Sequence, residues 1–202
     1  MTIAADYYTS MRRAFEASVP EALEAAAALV FEAAVSGRAV YTFGNGASAS
    51  LASHMATDLS KGTAHDHGFE PSRPTGLRLR AVSLTDNSAL VTAYGNDVGY
   101  EYIFVEQLRT LLRNGDVAIG ISASGSSPNV LRALEYSRVQ GARSVGFTGS
   151  MPGAKEMAAR CDVLVCAPLV HIDQIEDMHV SFNHILTRIL DEQLQQASSA
   201  RS

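Results

Sequence analysis

The sequence has no excess of positive charge, no long apolar run and little cysteine, and each of these absences excludes a class of protein. Only 18 % of its 202 residues are charged, and the formal net charge at pH 7 is -5. An acidic chain does not attract nucleic acid or anionic lipid over its whole surface, so any anion must be bound by a local arrangement of donors. The composition therefore disfavours nucleic acid as a partner.

Segments that would place the chain in or across a membrane are also missing. No stretch approaches the roughly 18 to 20 consecutive apolar residues that span a bilayer, and the N-terminus lacks a basic region followed by an apolar one. We expect a cytoplasmic protein with no membrane partner. The two cysteines, Cys161 and Cys166, would point to opposite faces of a strand, which predicts buried free thiols rather than a disulfide.

Two common catalytic signatures are absent as well. The nucleophile elbow G-x-S-x-G does not occur, and the stretch from Gly44 to Ala49 lacks the G-x-G-x-x-G spacing of a dinucleotide-binding loop. These absences weigh against a hydrolase of the elbow type and against a dehydrogenase.

What the chain does contain is an alternation of short apolar runs and helical segments. The alanine-rich residues 1–36 predict two N-terminal helices, with Pro20 opening the second. Strands are predicted at 38–43, 78–84, 117–122, 144–148 and 163–167, and runs such as Val117–Ile121 are apolar throughout, as in strands buried on both faces. We expect one α/β domain over residues 1–202, with a doubly wound, flavodoxin-like, five-stranded parallel sheet.

Three further segments complete the predicted organisation. Residues 62–76 are polar and lack periodicity, which predicts a mobile loop or an active-site flap. Within this loop His65 and His67 could contact a metal or substrate, or lie in solvent. The last helix is expected at 173–195, followed by a frayed tail at 197–202.

Two junctions between a predicted strand and a predicted helix are rich in glycine and serine. The first, Gly44–Ser48, follows an apolar run, and the second, residues 122–129, offers four hydroxyls and a glycine before Pro128. Backbone donors at a helix N-terminus suit an anionic group, and ligands of doubly wound sheets bind beyond the carboxyl ends of the strands. The two junctions therefore predict phosphate recognition.

Titratable residues cluster on two of the predicted helices. His54 and Asp58 lie four residues apart on one helix face, where they could position a base, bind a metal or form only a surface ion pair. The last helix carries five titratable residues within twelve positions. Its Glu176 and His184 are separated by a rise of roughly 12 Å, so one small ion would require a bent helix or a contribution from a neighbouring subunit.

These motifs, together with the turn-forming segment Gly95–Tyr100, resemble the sugar isomerase (SIS) domain family over nearly the whole chain. Within that family the resemblance is to the phosphoheptose isomerases, which interconvert sedoheptulose 7-phosphate and a heptose 7-phosphate. It implies a sugar phosphate as the small-molecule partner. The substrate- and phosphate-binding residues that it implies are Asn45, Gly46, Ser48, Asp97, Ser122, Ala123, Ser124, Ser127, Asp173 and Glu176.

The same resemblance implies a mechanism, a metal and an assembly. Asp58 would be the catalytic base and His184 the acid in an exchange that passes through an enediol. Similar enzymes often carry zinc, here implied at His54, Asp58, Glu176 and His184. They are commonly homotetramers with sites shared between subunits.

Some positions depart from the family pattern and motivate a second hypothesis. Asp58 stands where the family usually has glutamate, and Glu176 where it usually has glutamine. The chain could be a phosphoheptose isomerase or a close ketose–aldose isomerase. The alternative is a non-catalytic SIS protein that binds a sugar phosphate or a partner protein, as the replication-initiator-associating members do.

Overall fold

The architecture is an α/β sandwich, and the computed structural model describes residues 2–65 and 76–199. Five strands form the sheet: β1 (Ala39–Gly44), β2 (Arg80–Ser83), β3 (Val117–Ile121), β4 (Arg143–Gly149) and β5 (Val163–Ala167). The α-helices are α1 (Ile3–Glu16), α2 (Pro20–Val35), α3 (Ala47–Thr57), α4 (Ser88–Asp97), α5 (Ile103–Leu111), α6 (Pro128–Val139), α7 (Ala154–Ala158) and α8 (Ile172–Ser199). A π-helical turn, Asp58–Gly62, extends α3, and a 3₁₀ turn, Tyr100–Tyr102, precedes α5.

All strand pairs are parallel, and the strands lie in the order β2-β1-β3-β4-β5. This is the flavodoxin-like order, so the predicted fold class is confirmed. The chain reverses its direction of winding between β1 and β3, where Gly44 is paired with Ile121. The ends of these two strands are therefore the place where a doubly wound sheet binds its ligand.

Helices cover both faces of the sheet because successive strand side chains point to opposite sides. On β1, Val40 joins the core formed with α2, α3 and α8, while Tyr41 and Phe43 join the core formed with α5 and α6. Phe43 meets Phe104 of α5 with ring centroids 5.2 Å apart. Burial on both faces explains why the strand runs are apolar without alternation.

Several predicted boundaries differ from those observed. Strand β5 has its predicted limits, whereas β2 is shorter than residues 78–84 and β4 is longer than 144–148. Pro20 opens α2 as predicted. The predicted frayed tail is wrong for residues 197–199, which continue α8, because Leu190 and Leu194 keep the last turns packed against the core. Residues 200–202 lie outside the described residues.

The loop predicted at 62–76 begins later than expected, and the two cysteines differ in burial. Gly62 closes the π-helical turn, so the loop begins later than predicted, and residues 66–75, including His67, lie outside the described residues. Both cysteines are free, but only Cys161 is buried and only Cys166 belongs to β5. Within residues 2–65 and 76–199, none of the helices has the length and apolar character needed to cross a membrane.

Asp116 fixes the amino ends of β1 and β3, opposite the carboxyl edge of the sheet. It is buried, and its Oδ1 accepts from the Ala39 N–H at 2.9 Å while its Oδ2 accepts from the Arg113 N–H at 2.6 Å. Its backbone carbonyl accepts from Arg143 N at 2.8 Å. One side chain therefore satisfies donors from two segments that would otherwise be buried without partners.

We predict that Asp116→Asn lowers the free energy of unfolding by about 1–3 kcal/mol, because an amide offers one acceptor oxygen where two donors need partners. Urea denaturation at pH 7 measures the effect. The exposed Glu32→Gln, which makes the same chemical change, should stay within about 0.5 kcal/mol of the wild type. Equal stability of the two variants would contradict this role of Asp116.

Candidate active site

The first loop at the carboxyl edge of the sheet is held close to its neighbours by glycine. A Cβ on Gly44 would lie 2.8 Å from Ser48 Cβ and 2.9 Å from the carbonyl oxygen of Ile121. Gly46, the residue before α3, has φ 56°, in the left-handed region that glycine adopts without strain. The loop thereby brings buried Ser48 into the first turn of α3, beside the second loop.

Two asparagines connect the first loop to the second. Asn45 Nδ2 donates to Asn129 Oδ1, and Asn129 Nδ2 donates to Asn45 Oδ1, each at 2.9 Å. Tyr100 Oη also donates to Asn45 Oδ1, at 3.1 Å. The amide pair fixes the loop after β1 relative to α6, so the two predicted binding loops form one structural unit.

The second loop concentrates hydroxyl groups. Ser122 Oγ lies 3.0 Å from Ser127 Oγ and 3.4 Å from Ser124 Oγ, and Ser126 Oγ donates to Ser124 Oγ at 3.0 Å. Ser127 stands at the N-cap of α6 but makes no side-chain capping bond. The first turn of α6 and these four hydroxyls thus form a donor-rich group suited to an anion.

The carboxylate of Asp58 lies between two imidazoles. Its Oδ2 is 3.1 Å from His54 Nε2 and 3.9 Å from His184 Nε2, and the two Nε2 atoms are 3.4 Å apart. Asn183 Nδ2 donates to the same Oδ2 at 2.7 Å. Helix α3, its π-helical extension and α8 therefore meet at one carboxylate oxygen.

The His54, Asp58 and His184 group has the geometry and the donor set of a metal site. Its three ligand atoms lie within 4.8 Å of one another. Ligands about 2.1 Å from a tetrahedral ion would lie about 3.4 Å apart, and the observed separations of 3.1, 3.4 and 3.9 Å lie around that distance. Two imidazoles and a carboxylate can therefore hold a divalent metal and leave one position open.

Three carboxylates from the predicted set lie outside this group. Glu176, half-buried in the second turn of α8, lines a cavity of about 210 Å³ together with Ser48, His54 and His179. The described part of α8 is unbroken from Ile172, so Glu176 does not join the three clustered ligands, in agreement with the rise argument. Its role as a ligand stays a prediction.

The other two carboxylates are exposed. Asp173 lies in the first turn of α8, and Asp97 ends α4, where its Oδ1 accepts from Asn96 Nδ2 at 2.6 Å.

The predicted turn at Gly95–Tyr100 is wrong for its first three residues, which are helical. Gly99, with φ 131°, makes the turn instead. Ala123, which belongs to the second loop, is buried, and its carbonyl oxygen accepts a hydrogen bond from Gly149 N.

His65 belongs to a separate contact. Its Nε2 lies 2.6 Å from Asp191 Oδ1 and 3.2 Å from Gln195 Nε2, on the C-terminal half of α8. In the described part of the chain it is not among the three clustered ligands. Among the described histidines, His54 and His184 are the two that belong to the group of clustered ligands.

His179 is a buried imidazole in the wall of the cavity. Its Nε2 donates to the carbonyl oxygen of Thr148 at 3.1 Å, and Nδ1 is buried without a hydrogen-bond partner among the described residues. Its ring packs edge-on against Phe147, with centroids 5.8 Å apart. Burial lowers the pKa of His179 to about 4, and the hydrogen bond to Thr148 opposes that shift.

Comparison with known proteins agrees with this geometry. The sequence profile of the SIS domain family matches residues 5–149. The chain belongs to the SIS domain family. It is 34 % identical over 177 residues to the phosphoheptose isomerase of Aliarcobacter butzleri, covering 88 % of each chain, and 38 % identical over 155 residues to that of Nitratidesulfovibrio vulgaris strain Miyazaki F, covering 77 % and 69 %.

Solved structures of the same kind superpose closely on the chain. The phosphoheptose isomerase of Neisseria gonorrhoeae gives a TM-score of 0.80 at 30 % identity, covering 93 % of this chain and 94 % of that one. The Francisella tularensis enzyme gives 0.81 at 29 %, covering 95 % and 100 %. The expected membership in this SIS group is confirmed, and with it the expectation of an isomerase enzyme.

Sequence reasoning missed three polar residues that organise the site. Asn129 and Tyr100 hold Asn45, and Asn183 holds Asp58. Asn129 and Tyr100 carried no sequence signal, because a polar residue in a first turn or after a turn is ordinary. Asn183 had a sequence signal, because it lies four residues after His179 and three residues before Leu186. This spacing places it on the buried face of α8.

We predict that His179 makes the protein less stable in mild acid. Its pKa is about 4 in the folded protein and about 6.5 in the unfolded chain, so between these values the unfolded state binds more protons. The free energy of unfolding therefore falls as the pH is lowered from 7, by about 2 kcal/mol at pH 5.

The measurement is urea denaturation at pH 7 and pH 5 for the wild type and for His179→Phe. The variant replaces the imidazole with an aromatic ring that cannot titrate, so its loss between the two pH values should be about 2 kcal/mol smaller. Parallel pH dependence in the two proteins would show that His179 does not titrate in this way.

Proposed function

We propose that the chain isomerises a ketose phosphate to an aldose phosphate, with sedoheptulose 7-phosphate and a heptose 7-phosphate as the pair. The cavity that joins Ser48 to His54 and Glu176 carries the proposal. It extends from the first loop toward the His54, Asp58 and His184 group. A bound sugar phosphate can therefore place its phosphate at the loops and its carbonyl end at the titratable residues.

Phosphate binding is assigned to the second loop. The hydroxyls of Ser122, Ser124 and Ser127 lie within 3.0 to 3.4 Å of one another in a chain centred on Ser122. These groups and the first-turn amides of α6 can surround a phosphate monoester. The overall acidity of the protein makes such local donors necessary, because no broad positive field supports them.

The chain of the sugar is assigned to the remaining residues that the family resemblance implies. Asn45, Gly46, Ser48 and the backbone of Ala123 would contact its hydroxyls on one side, while Asp97, Asp173 and Glu176 would accept from them on the other. Oδ1 of Asp97 already accepts a hydrogen bond, and Glu176 lines the cavity directly. Carboxylates and amides are suitable partners for sugar hydroxyls because they accept and donate strong hydrogen bonds.

Proton transfer is assigned to Asp58 and His184. An aldose–ketose exchange removes a proton from the carbon beside a carbonyl, forms an enediol and returns a proton to the neighbouring carbon. Oδ2 of Asp58 carries the contacts to His54 and Asn183, and Oδ1 accepts no hydrogen bond within the described residues. Oδ1 can therefore take the proton. His184 would give a proton to the carbonyl oxygen, and it would do so from Nδ1 if its Nε2 holds the metal.

We assign zinc to the three clustered ligands because imidazole and carboxylate groups are among its usual ligands in proteins. His54, Asp58 and His184 would hold it, with Glu176 as the further ligand implied by the family resemblance. When bound, zinc would polarise the sugar carbonyl and stabilise negative charge on its oxygen. We further propose one SIS domain over residues 1–202, a homotetramer and a cytoplasmic location.

The direct test is incubation of the zinc-loaded protein with sedoheptulose 7-phosphate in deuterated water. We expect a heptose 7-phosphate that carries solvent deuterium beside its carbonyl, detected by NMR. Asp58→Asn should lower the turnover at least about 100-fold, because it removes the base while keeping the side-chain shape. Asp191→Asn makes the same change in another His–Asp pair and should leave turnover unchanged.

The outcome of that test separates the two hypotheses. No product and no deuterium exchange in the wild type would refute the isomerase proposal for this substrate. Tight binding of the sugar phosphate without turnover or exchange would favour the non-catalytic alternative.

We also predict that Ser127→Ala weakens binding of a sugar phosphate by about 1–3 kcal/mol, since hydrogen bonds to charged groups are worth this much. Titration calorimetry with sedoheptulose 7-phosphate and with inorganic phosphate measures it. Ser137→Ala is the matched control, because Ser137 lies within α6 and donates only to the carbonyl of Ala133. Unchanged affinity in Ser127→Ala would remove this residue from the phosphate site.

A further inference from the structure

Asn183 is a polar residue on the buried face of α8, among mostly apolar side chains. It is fully buried, and its neighbours on the same helix face include Phe182, Leu186 and Leu190. Its Oδ1 has no hydrogen-bond partner among the described residues. Leaving a buried acceptor unpaired lowers stability, so the amide is a poor choice for packing alone.

The other end of that amide makes the shortest contact of the metal-binding group. Asn183 Nδ2 lies 2.7 Å from Asp58 Oδ2, compared with 3.1 Å for His54 Nε2 and 3.9 Å for His184 Nε2. An ionised carboxylate only accepts hydrogen bonds, so the NH₂ group and not the carbonyl must face it. The orientation of the amide, and with it the unpaired Oδ1, is therefore set by Asp58.

Asp58 needs an anchor from outside its own helix. It begins the π-helical turn that extends α3, a wider backbone arrangement than the α-helix that carries His54. Its side chain is only partly buried, and His54 Nε2 is its one close partner from the same helix. The amide from α8 fixes the carboxylate from the opposite side.

We propose that Asn183 is a positioning residue that holds Oδ2 of Asp58 against the two imidazoles and leaves Oδ1 free to face the substrate. The inference rests on the proposed isomerase function and assigns a separate task to each carboxylate oxygen. Groups that hydrogen-bond a metal ligand orient it, and their loss costs 10- to 100-fold in metal affinity or activity. Asn183 acts through Asp58 and does not itself touch the reacting carbon.

The test replaces Asn183 with side chains that cannot donate. Asn183→Leu has a similar volume and should keep or raise the stability to urea, because it removes a buried unpaired oxygen. Asn183→Ala removes the amide without adding bulk and decides the question if the leucine variant does not fold.

Cobalt serves as the probe of the metal-binding group, since its visible absorption reports the coordination geometry. In both variants we expect about 10- to 100-fold weaker Co²⁺ binding and an altered absorption band. With sedoheptulose 7-phosphate, kcat should fall by at least about tenfold while KM stays within about twofold. Wild-type Co²⁺ affinity, absorption and kcat in a folded variant would overturn the inference.

Gln107→Leu is the matched control from outside the site. Gln107 is a buried amide whose Nε2 donates only to the carbonyls of Leu84 and Ile103. Its replacement should lower stability and leave Co²⁺ binding and kcat unchanged, the reverse of the pattern expected for Asn183→Leu. If both variants lose stability and keep their function, Asn183 has only a structural role.

Failure of the proposed function gives a different pattern. A wild type that turns over no heptose phosphate, but binds Co²⁺ in a manner that depends on Asn183, refutes the isomerase proposal and keeps the positioning role. A wild type that turns over normally alongside unaffected Asn183 variants refutes the positioning role alone. A wild type that neither binds Co²⁺ nor turns over substrate overturns both.

Discussion

Convergence of three nitrogen atoms around one carboxylate oxygen is the constraint on which the site depends. His54 lies near Oδ2 of Asp58 from α3, and Asn183 and His184 lie near it from α8, at distances between 2.7 and 3.9 Å. Neither helix can supply this geometry alone, because the nitrogen atoms come from both. The packing of α8 against the α3 side of the sheet is therefore a functional requirement as well as a source of stability.

The site concentrates polar groups that reduce stability, and the rest of the fold compensates for them. His179 Nδ1 and Asn183 Oδ1 are buried without partners among the described residues, and each lies on the face of α8 directed toward the core. The continuous apolar strands and the buried leucines at 186, 190 and 194 supply opposing burial on the same helix. The long final helix can thus carry unfavourable polar groups because its apolar residues are buried along most of its length.

The sequence predicted the sheet and the position of the two glycine- and serine-rich loops at its strand ends, because both depend on local patterns. Apolar runs indicate buried strands, and glycine with serine at a strand end indicates a backbone that approaches an anion. It did not predict the amide pair of Asn45 and Asn129, since reciprocal hydrogen bonds between residues 84 positions apart leave no periodic signal. The contact between His54 and His184 was predicted only from the family resemblance, because it depends on how α8 packs against the sheet.

Glu176 and His184 lie on one helix but have different surroundings. They are eight residues apart, and a rise of roughly 12 Å separates them in an α-helix. His184 lies with Asp58, while Glu176 lines the cavity nearer the first loop with Ser48. Because α8 is continuous between them, both residues can bind one small ion only if a neighbouring subunit contributes one of the two.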